Sequence, residues 1–215
     1  MPNKYLSLSH ILSPTLSCYN NRYAIKVFPY KQREKTVIFE GHTGTHVDVP
    51  YHVDETGKKI TDYQLEDFIF SQVYMVAVTV RGNYVEAQDV SCVPENTDFL
   101  IINTGYSRDR AADKYALQNV GVSPEAIAVL RQKCKSLRAI GIDSMSFNAY
   151  QDKERGRMAH KACLLQKPEI LIVEDMNLSA MSENIKINKL FVVPMVVAEC
   201  DGAVCSVIAE VSDAI

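Results

Sequence analysis

Residues 41–53 read GHTGTHVDVPYHV and gather three of the chain's five histidines, with an aspartate, where there is little other polar chemistry. Imidazoles and a carboxylate at short spacing are the groups that ligate divalent metals and move protons near neutral pH. His42 and His46 stand four apart, the spacing of a helical zinc site. The local sequence opposes a helix. Thr43, Thr45, Val47 and Val49 are β-branched, Gly44 weakens a helix, and Pro50 biases Val49 away from it. In an extended strand His42, Gly44, His46, Asp48, Pro50 and His52 share one parity and one face. His42 and His46 would then lie roughly 13 Å apart, too far for one ion with ligand bonds of about 2 Å. A bend at Gly44–Thr45, which glycine permits, brings His42 back towards His46. Two imidazoles and the Asp48 carboxylate then suit one metal, with His52 beyond Pro50 at the rim to carry protons. The alternative is structural, with surface or hydrogen-bonded core histidines and no ion.

The elements that must position these residues alternate between strands and helices. YLSLSHI (5–11) reads as a first strand, and YAIKVF (23–28) and KTVIFE (35–40) as a hairpin. QVYMVAVTVRG (72–82) reads as a long strand and YVEAQDVSC (84–92) as a short helix. DFLIINTG (98–105), RAIGID (138–143) and EILIVED (169–175) are continuous apolar runs of buried strands. SPEAIAVLRQKCKSL (123–137) is the clearest helix, with Ser123 as cap and Pro124 in the first turn. GRMAHKACLLQ (156–166) is a second helix, and the tail holds two strands joined near Asp201–Gly202. The pattern is that of an α/β domain, a mixed β-sheet with interspersed helices, without fixing the strand order.

The 215 residues suit a single domain over 1–215, 47% hydrophobic and 23% charged. A net charge of −3 argues against a nucleic-acid surface; the basic cluster RQKCKSLR (131–138) reads as the cationic end of a helix. No charged leader with an apolar block opens the sequence, and no run approaches the roughly 20 apolar residues that span a bilayer. The expectation is a soluble, cytoplasmic protein without a membrane partner. The six cysteines form no CxxC pair, so reduced, mostly buried thiols are expected. There is no GxSxG and no informative Cys–His pairing, which leaves nucleophilic serine or cysteine catalysis without a motif.

HTGTHVDVPYH resembles the HxGTHxDxPxH signature of the putative cyclase family, which includes bacterial kynurenine formamidases and isatin hydrolases. Further stretches agree in order. LSLSHILSP resembles the family's opening DLSH strand with Leu6 for the aspartate, IINTGY its TGW segment with Tyr106 for tryptophan, and GIDSMSFN its GIDxxSxD with Asn148 for an aspartate. AHKACLLQKPEILIVEDM resembles HxxLLxxxIxIxENL, and DGAVCSVIAEV the closing strand. The resemblance implies a metal-dependent amide or lactam hydrolase on a swivelling β/β/α-type fold, assembled as a homodimer or homotetramer. It implies that His42, His46 and Asp48 bind one metal, that Asp48 bridges to a second held by His160 and Glu174, and that His52 transfers protons. Asp175 and Glu169 are alternatives to Glu174, because the spacing from His160 is slightly longer than usual and Asp175 replaces the usual asparagine. One or two ions per chain are therefore expected, zinc or manganese, since mixed imidazole and carboxylate ligation suits either.

The expected chemistry is attack of activated water on an amide carbonyl, with His52 taking the water's proton and passing it to the leaving nitrogen. The substrate expected is a small amide, N-formylkynurenine or a similar aryl formamide, which would place the chain in tryptophan catabolism. Ring opening of a cyclic amide or ester, as in isatin hydrolysis, is the second reading. A non-catalytic, metal-stabilised small-molecule-binding protein is the third, and it alone predicts indifference to His52→Ala. His10 either lines the pocket or is a satisfied structural histidine, and Tyr106 either stacks on substrate or packs.

Overall fold

The computed structural model describes residues 4–213 apart from 20–22, 24, 32, 183 and 184. The chain runs through β1 (Lys4–Ser7), β2 (Lys26–Pro29), β3 (Lys35–Ile38), β4 (His46–Asp48), β5 (Ile69–Phe70), β6 (Val73–Ala77), β7 (Tyr84–Val85) and β8 (Phe99–Asn103). It continues through α1 (Asp113–Leu117), β9 (Gly121–Val122), α2 (Pro124–Lys133), β10 (Ala139–Ile142), α3 (Lys153–Leu164), β11 (Leu171–Glu174), β12 (Ile185–Pro194) and β13 (Gly202–Asp213).

The three continuous apolar runs become β8, β10 and β11, which pair in parallel with each other and, through β8, with β6. Buried on both faces, such strands need no polar alternation. The main sheet follows the order β5-β12-β13-β4-β11-β10-β8-β6, and β1 pairs with β13 further along the edge that also receives β4. β5 and β6 stand at opposite ends of that order but are separated in sequence only by Ser71 and Gln72. The sheet must therefore curl until its ends nearly meet. The result is a mixed α/β fold with a nearly closed, barrel-like sheet and a few helices.

Strand alternation divides the core in two. Val47, Val49, Phe99, Ile101, Val173 and Val207 pack in one buried cluster with Leu8 and Phe70. Leu100, Ile102, Ile140, Ile142 and Ile172 point the other way and pack with Ile127, Leu130, Cys163 and Leu164 of α2 and α3. Each face removes large side chains from water, at roughly 1.5–3 kcal/mol per fully buried Leu, Ile, Val or Phe.

Several elements are shorter than the sequence suggests. α2 begins as expected, the Ser123 hydroxyl accepting from the Ala126 N–H with Pro124 in the first turn, but stops at Lys133. Cys134 leaves helical geometry, and its thiol donates to the Pro94 carbonyl as the chain turns into β10. The run 72–82 forms strand only to Ala77, because its single neighbour β8 stops pairing at Asn103. YVEAQDVSC is not an α-helix: Tyr84–Val85 pairs with Gly121–Val122, and Ala87–Val90 makes a 3-10 turn capped by Asp89. The hairpin β2–β3 and the tail strands β12 and β13 form where expected. Among the described residues no helix is long and apolar enough to cross a membrane.

Gly44 has φ of +64°, and a Cβ there would meet Leu12 Cδ2 at 2.6 Å. The leucine tip can yield, so the backbone cost dominates. Gly44→Ala is expected to lower stability by about 1–2 kcal/mol, the cost of a left-handed non-glycine residue. Urea unfolding measures it; an unchanged midpoint would show that the turn tolerates a side chain.

Candidate metal centre

The bend expected in the histidine segment lies at Gly44, and it changes which residues can meet. The His42 and His46 rings come to 5.0 Å between centroids, edge to face. β4 then pairs antiparallel on both sides, with His46 opposite Glu174 and Asp48 opposite Ile172 in β11, and with Val204 and Gly202 opposite them in β13. Residues opposite each other in antiparallel strands hold their Cβ atoms about 5 Å apart. His46, Asp48 and Glu174 thus share the face on which Ile172 meets α3, while Val47 and Val49 fill the other. His160 projects from α3 onto the same spot.

The distances are short and convergent. Asp48 Oδ1 lies 2.9 Å from His42 Nδ1 and 3.5 Å from His46 Nε2, and Oδ2 lies 3.7 Å from His160 Nε2. Glu174 Oε2 is 3.3 Å from His46 Nε2, and Oε1 is 3.1 Å from His160 Nε2. His46, Asp48, His160 and Glu174 are all buried. The Gly44 carbonyl 2.8 Å from His46 Nδ1 and the Gly156 carbonyl 3.0 Å from His160 Nδ1 can only accept, so each Nδ1 carries the proton and each Nε2 faces the centre. Glu174 Oε1 also accepts from the Phe147 N–H at 2.7 Å and the Ser146 hydroxyl at 3.2 Å, which fixes the carboxylate.

Two residues at the rim complete the cluster. Pro50 starts a 3-10 turn that carries His52 beside His42, with ring centroids 4.5 Å apart. Asp201, just before β13, places Oδ2 2.9 Å from His52 Nδ1 and Oδ1 3.0 Å from His42 Nε2. The first contact is a hydrogen bond. Because a carboxylate accepts, His52 Nδ1 is the donor and its Nε2 is left free as a base.

These groups fit a cation. Both carboxylate oxygens of Asp48 and Nε2 of His42 are buried without a hydrogen bond, despite their close neighbours. Lone pairs that approach within 3–4 Å without aligning on one another are converging on a common point, which is how ligand atoms stand. Among the described residues two donor sets of three meet this test, His42–Asp48–His52 and His46–Asp48–Glu174, and they share Asp48. The titration behaviour agrees. Burial alone would lower the imidazoles, but Asp48 and Asp201 push His42 up to about 11, and Asp48 and Glu174 push His160 up to about 10. Burial and the Asp48 charge would raise Glu174, but its contacts with His160 and His46 hold it at about 2. Against its burial, Asp48 is likewise held well below the usual range, by the charges of His42 and His52 and the contact with His160. The cluster is a well of negative potential that recruits positive charge.

The neighbouring acids are engaged elsewhere. Asp175, with φ of +54°, turns to the opposite side, where it accepts from Arg110 Nη2 at 2.7 Å and from the Tyr115 hydroxyl at 2.5 Å. Glu169 pairs with Lys58 and Lys167. His10 sits by Asp175, its Nε2 3.5 Å from Oδ1, and is not part of the cluster. The Tyr106 hydroxyl donates to the Gln118 carbonyl and its ring packs on Tyr115, away from the centre. Asp143, in the GIDSMSFN stretch, accepts from the Thr104 N–H and hydroxyl and the Ser107 N–H, tying that stretch to the TGY segment. Asp201 is the residue of this cluster that sequence reasoning missed. Its only signal is an aspartate before glycine at a strand junction, which reads first as a turn.

Residues 6–149 match the family model described as Putative cyclase. Over 168 residues the chain is 27% identical to a kynurenine formamidase of Bacillus cereus, covering 75% of this chain and 72% of the relative. A kynurenine formamidase of Bacillus anthracis is 26% identical over the same length and the same shares. Among solved structures, a potential metal-dependent hydrolase with cyclase activity superposes with a TM-score of 0.77 at 21% identity, over 97% of this chain and 98% of that one. Isatin hydrolase A of Labrenzia aggregata, solved with benzyl benzoate bound, superposes with a TM-score of 0.74 at 16% identity, over 96% and 93%. These superpositions establish a shared fold. With the family model covering more than half of the sequence, including the whole histidine segment, the chain belongs to the putative cyclase family.

Proposed function

We propose that this protein is a metal-dependent hydrolase of an amide C–N bond, acting on an aryl formamide such as N-formylkynurenine. The observation that carries the reading is the convergence of His42, His46, Asp48, His160 and Glu174, with both Asp48 oxygens unsatisfied, beside an imidazole held in one tautomer. The curated relatives named kynurenine formamidase support the substrate class.

In this reading His42, His46, Asp48, His160 and Glu174 would hold zinc or manganese, with Asp48 common to both donor sets. Such an ion supplies Lewis acidity, lowering the pKa of water from about 15.7 to about 7 and stabilising an oxyanion. The chain's own groups do the rest. Asp201 fixes the His52 ring through Nδ1. His52 Nε2 accepts a proton from the attacking water as the new C–O bond forms at the formyl carbon. It returns that proton to the nitrogen as the C–N bond breaks, giving an aryl amine and formate. Ser146 and the Phe147 N–H keep Glu174 from swinging out of the centre during these steps.

Three measurements test this reading. Metal-stripped protein should hydrolyse N-formylkynurenine only when zinc or manganese is restored; metal uptake without turnover of any amide or lactam would end the proposal. His52→Ala should keep its metal and lose about 100-fold or more in kcat, the usual weight of a general base; loss of the metal instead would make His52 a ligand. Gly202→Ala tests the seat of Asp48, because a Cβ there would stand 2.6 Å from His42 Cε1, 3.0 Å from the Val47 carbonyl oxygen and 3.2 Å from Asp48 Oδ1. Metal affinity should fall about 10–100-fold, the effect typical of disturbing a ligand's support. An unchanged affinity would take His42 and Asp48 out of the centre.

A further inference from the structure

A cavity of about 290 Å³ opens over the centre, and its outer wall carries Tyr19, Lys153 and Arg157. Lys153, Arg157 and His160 stand at i, i+4 and i+7 of α3 and so share one helix face. At a rise of about 1.5 Å per residue, Arg157 and Lys153 sit about 4.5 and 10.5 Å from His160 along the axis. One stripe therefore leads from the buried centre to the cavity mouth.

The two cations on that stripe are unspent. Among the described residues neither Lys153 nor Arg157 has a carboxylate within ion-pair distance, whereas their neighbour Arg155 takes both Glu86 and Glu125. Nor do they neutralise the centre: Asp48, Glu174 and Asp201 each find their close positive partners among the imidazoles. The Lys153 ammonium lies 5.2 Å from the Tyr19 ring centroid and 5.3 Å from that of Tyr150, so aromatic faces hold it in place. The buried Tyr19 hydroxyl has no hydrogen-bond partner. The wall thus offers an entering ligand two exposed cations and an idle hydroxyl, all hydrogen-bond donors.

The geometry points to an anion subsite: Lys153 and Arg157 receive the carboxylate of the substrate, with the amide bond at the centre below. This inference rests on the amide-hydrolase reading and narrows its substrate to anionic amides. The carboxylate and the scissile bond must be separated by on the order of 5–10 Å, the span between His160 and the two cations along the helix. That is the scale of one substituted aromatic ring. Arg157 can take the carboxylate through two parallel N–H donors and Lys153 as a point charge.

The test compares 4-formamidobenzoate with 4-formamidoacetophenone, which is similar in size and uncharged; its acetyl group withdraws electrons more strongly than a carboxylate, so intrinsic reactivity works against the expected preference. In the zinc-loaded wild type, kcat/KM for the acid should exceed that for the ketone by about 10-fold or more. In the Lys153→Gln, Arg157→Gln double variant that ratio should fall towards one, and Arg157→Lys should restore part of it. A wild-type ratio near one, or a ratio the double variant leaves intact, overturns the subsite. If neither compound is hydrolysed, turnover of N-formylkynurenine judges the amide-hydrolase reading, and calorimetric binding judges the subsite separately. Uptake of the acid over the ketone, lost in the double variant, supports it; equal uptake by both proteins overturns it.

Discussion

The pairing register of β4 against β11 and β13 is the constraint on which the rest depends. Strand alternation makes that register an all-or-none choice. With His46 opposite Glu174 and Asp48 opposite Ile172, the donors face α3 and His160, while Val47 and Val49 face the other half of the core. A slip of β4 by one residue would bury the Asp48 carboxylate and the His46 imidazole among Phe99, Ile101 and Val173, and turn valines towards Glu174 and His160. The two apolar clusters therefore hold the centre's geometry as firmly as any contact within it. The left-handed turn at Gly44 works inside the same frame, returning His42 to a strand too short to reach it otherwise.

What that frame assembles is electrostatically expensive. Two fully desolvated carboxylates, Asp48 and Glu174, lie within reach of the same imidazoles, and an uncompensated buried ion costs several kcal/mol. The cluster meets this cost by drawing in positive charge, as protons on His42 and His160 or as a cation. Two backbone carbonyls fix the tautomers of His46 and His160, so both Nε2 atoms are aimed before any ion arrives. Preorganised ligands lose little freedom on binding, which favours tight and selective uptake.

Much of this was legible in the residues themselves. The shared parity of His46 and Asp48 and the bend at Gly44 follow from β-branching and glycine chemistry, and the structure has both; His42 lies before the bend and outside the strand. The buried parallel strands announced themselves as apolar runs without alternation. The choice among Glu174, Asp175 and Glu169 could not be read from spacing. It is decided by backbone conformation, since φ of +54° turns Asp175 to Arg110 and Tyr115 and leaves Glu174 facing the histidines. Asp201 was hidden for a different reason. It lies 149 residues from His52, and only the β4–β13 pairing brings them together. The closing of the sheet was equally invisible, because it depends on β5 and β6 joining the opposite ends of one strand order.

The centre and its rim draw their side chains from four separate parts of the chain: the histidine segment, α3, the end of β11 and the entry to β13. No pair of neighbouring elements can build it, so it exists only when the main sheet is paired on both sides of β4 and α3 has docked. Binding energy at such a site is folding energy, because the unfolded chain offers no comparable set of ligands. An ion present at 100 times its dissociation constant would add about 2.7 kcal/mol to the folded state, a sizeable share of the roughly 5–15 kcal/mol that holds a typical domain together. The same long-range pairing that concealed Asp201 in the sequence thus makes the centre a cross-brace, tying β4 to β11, α3 and β13.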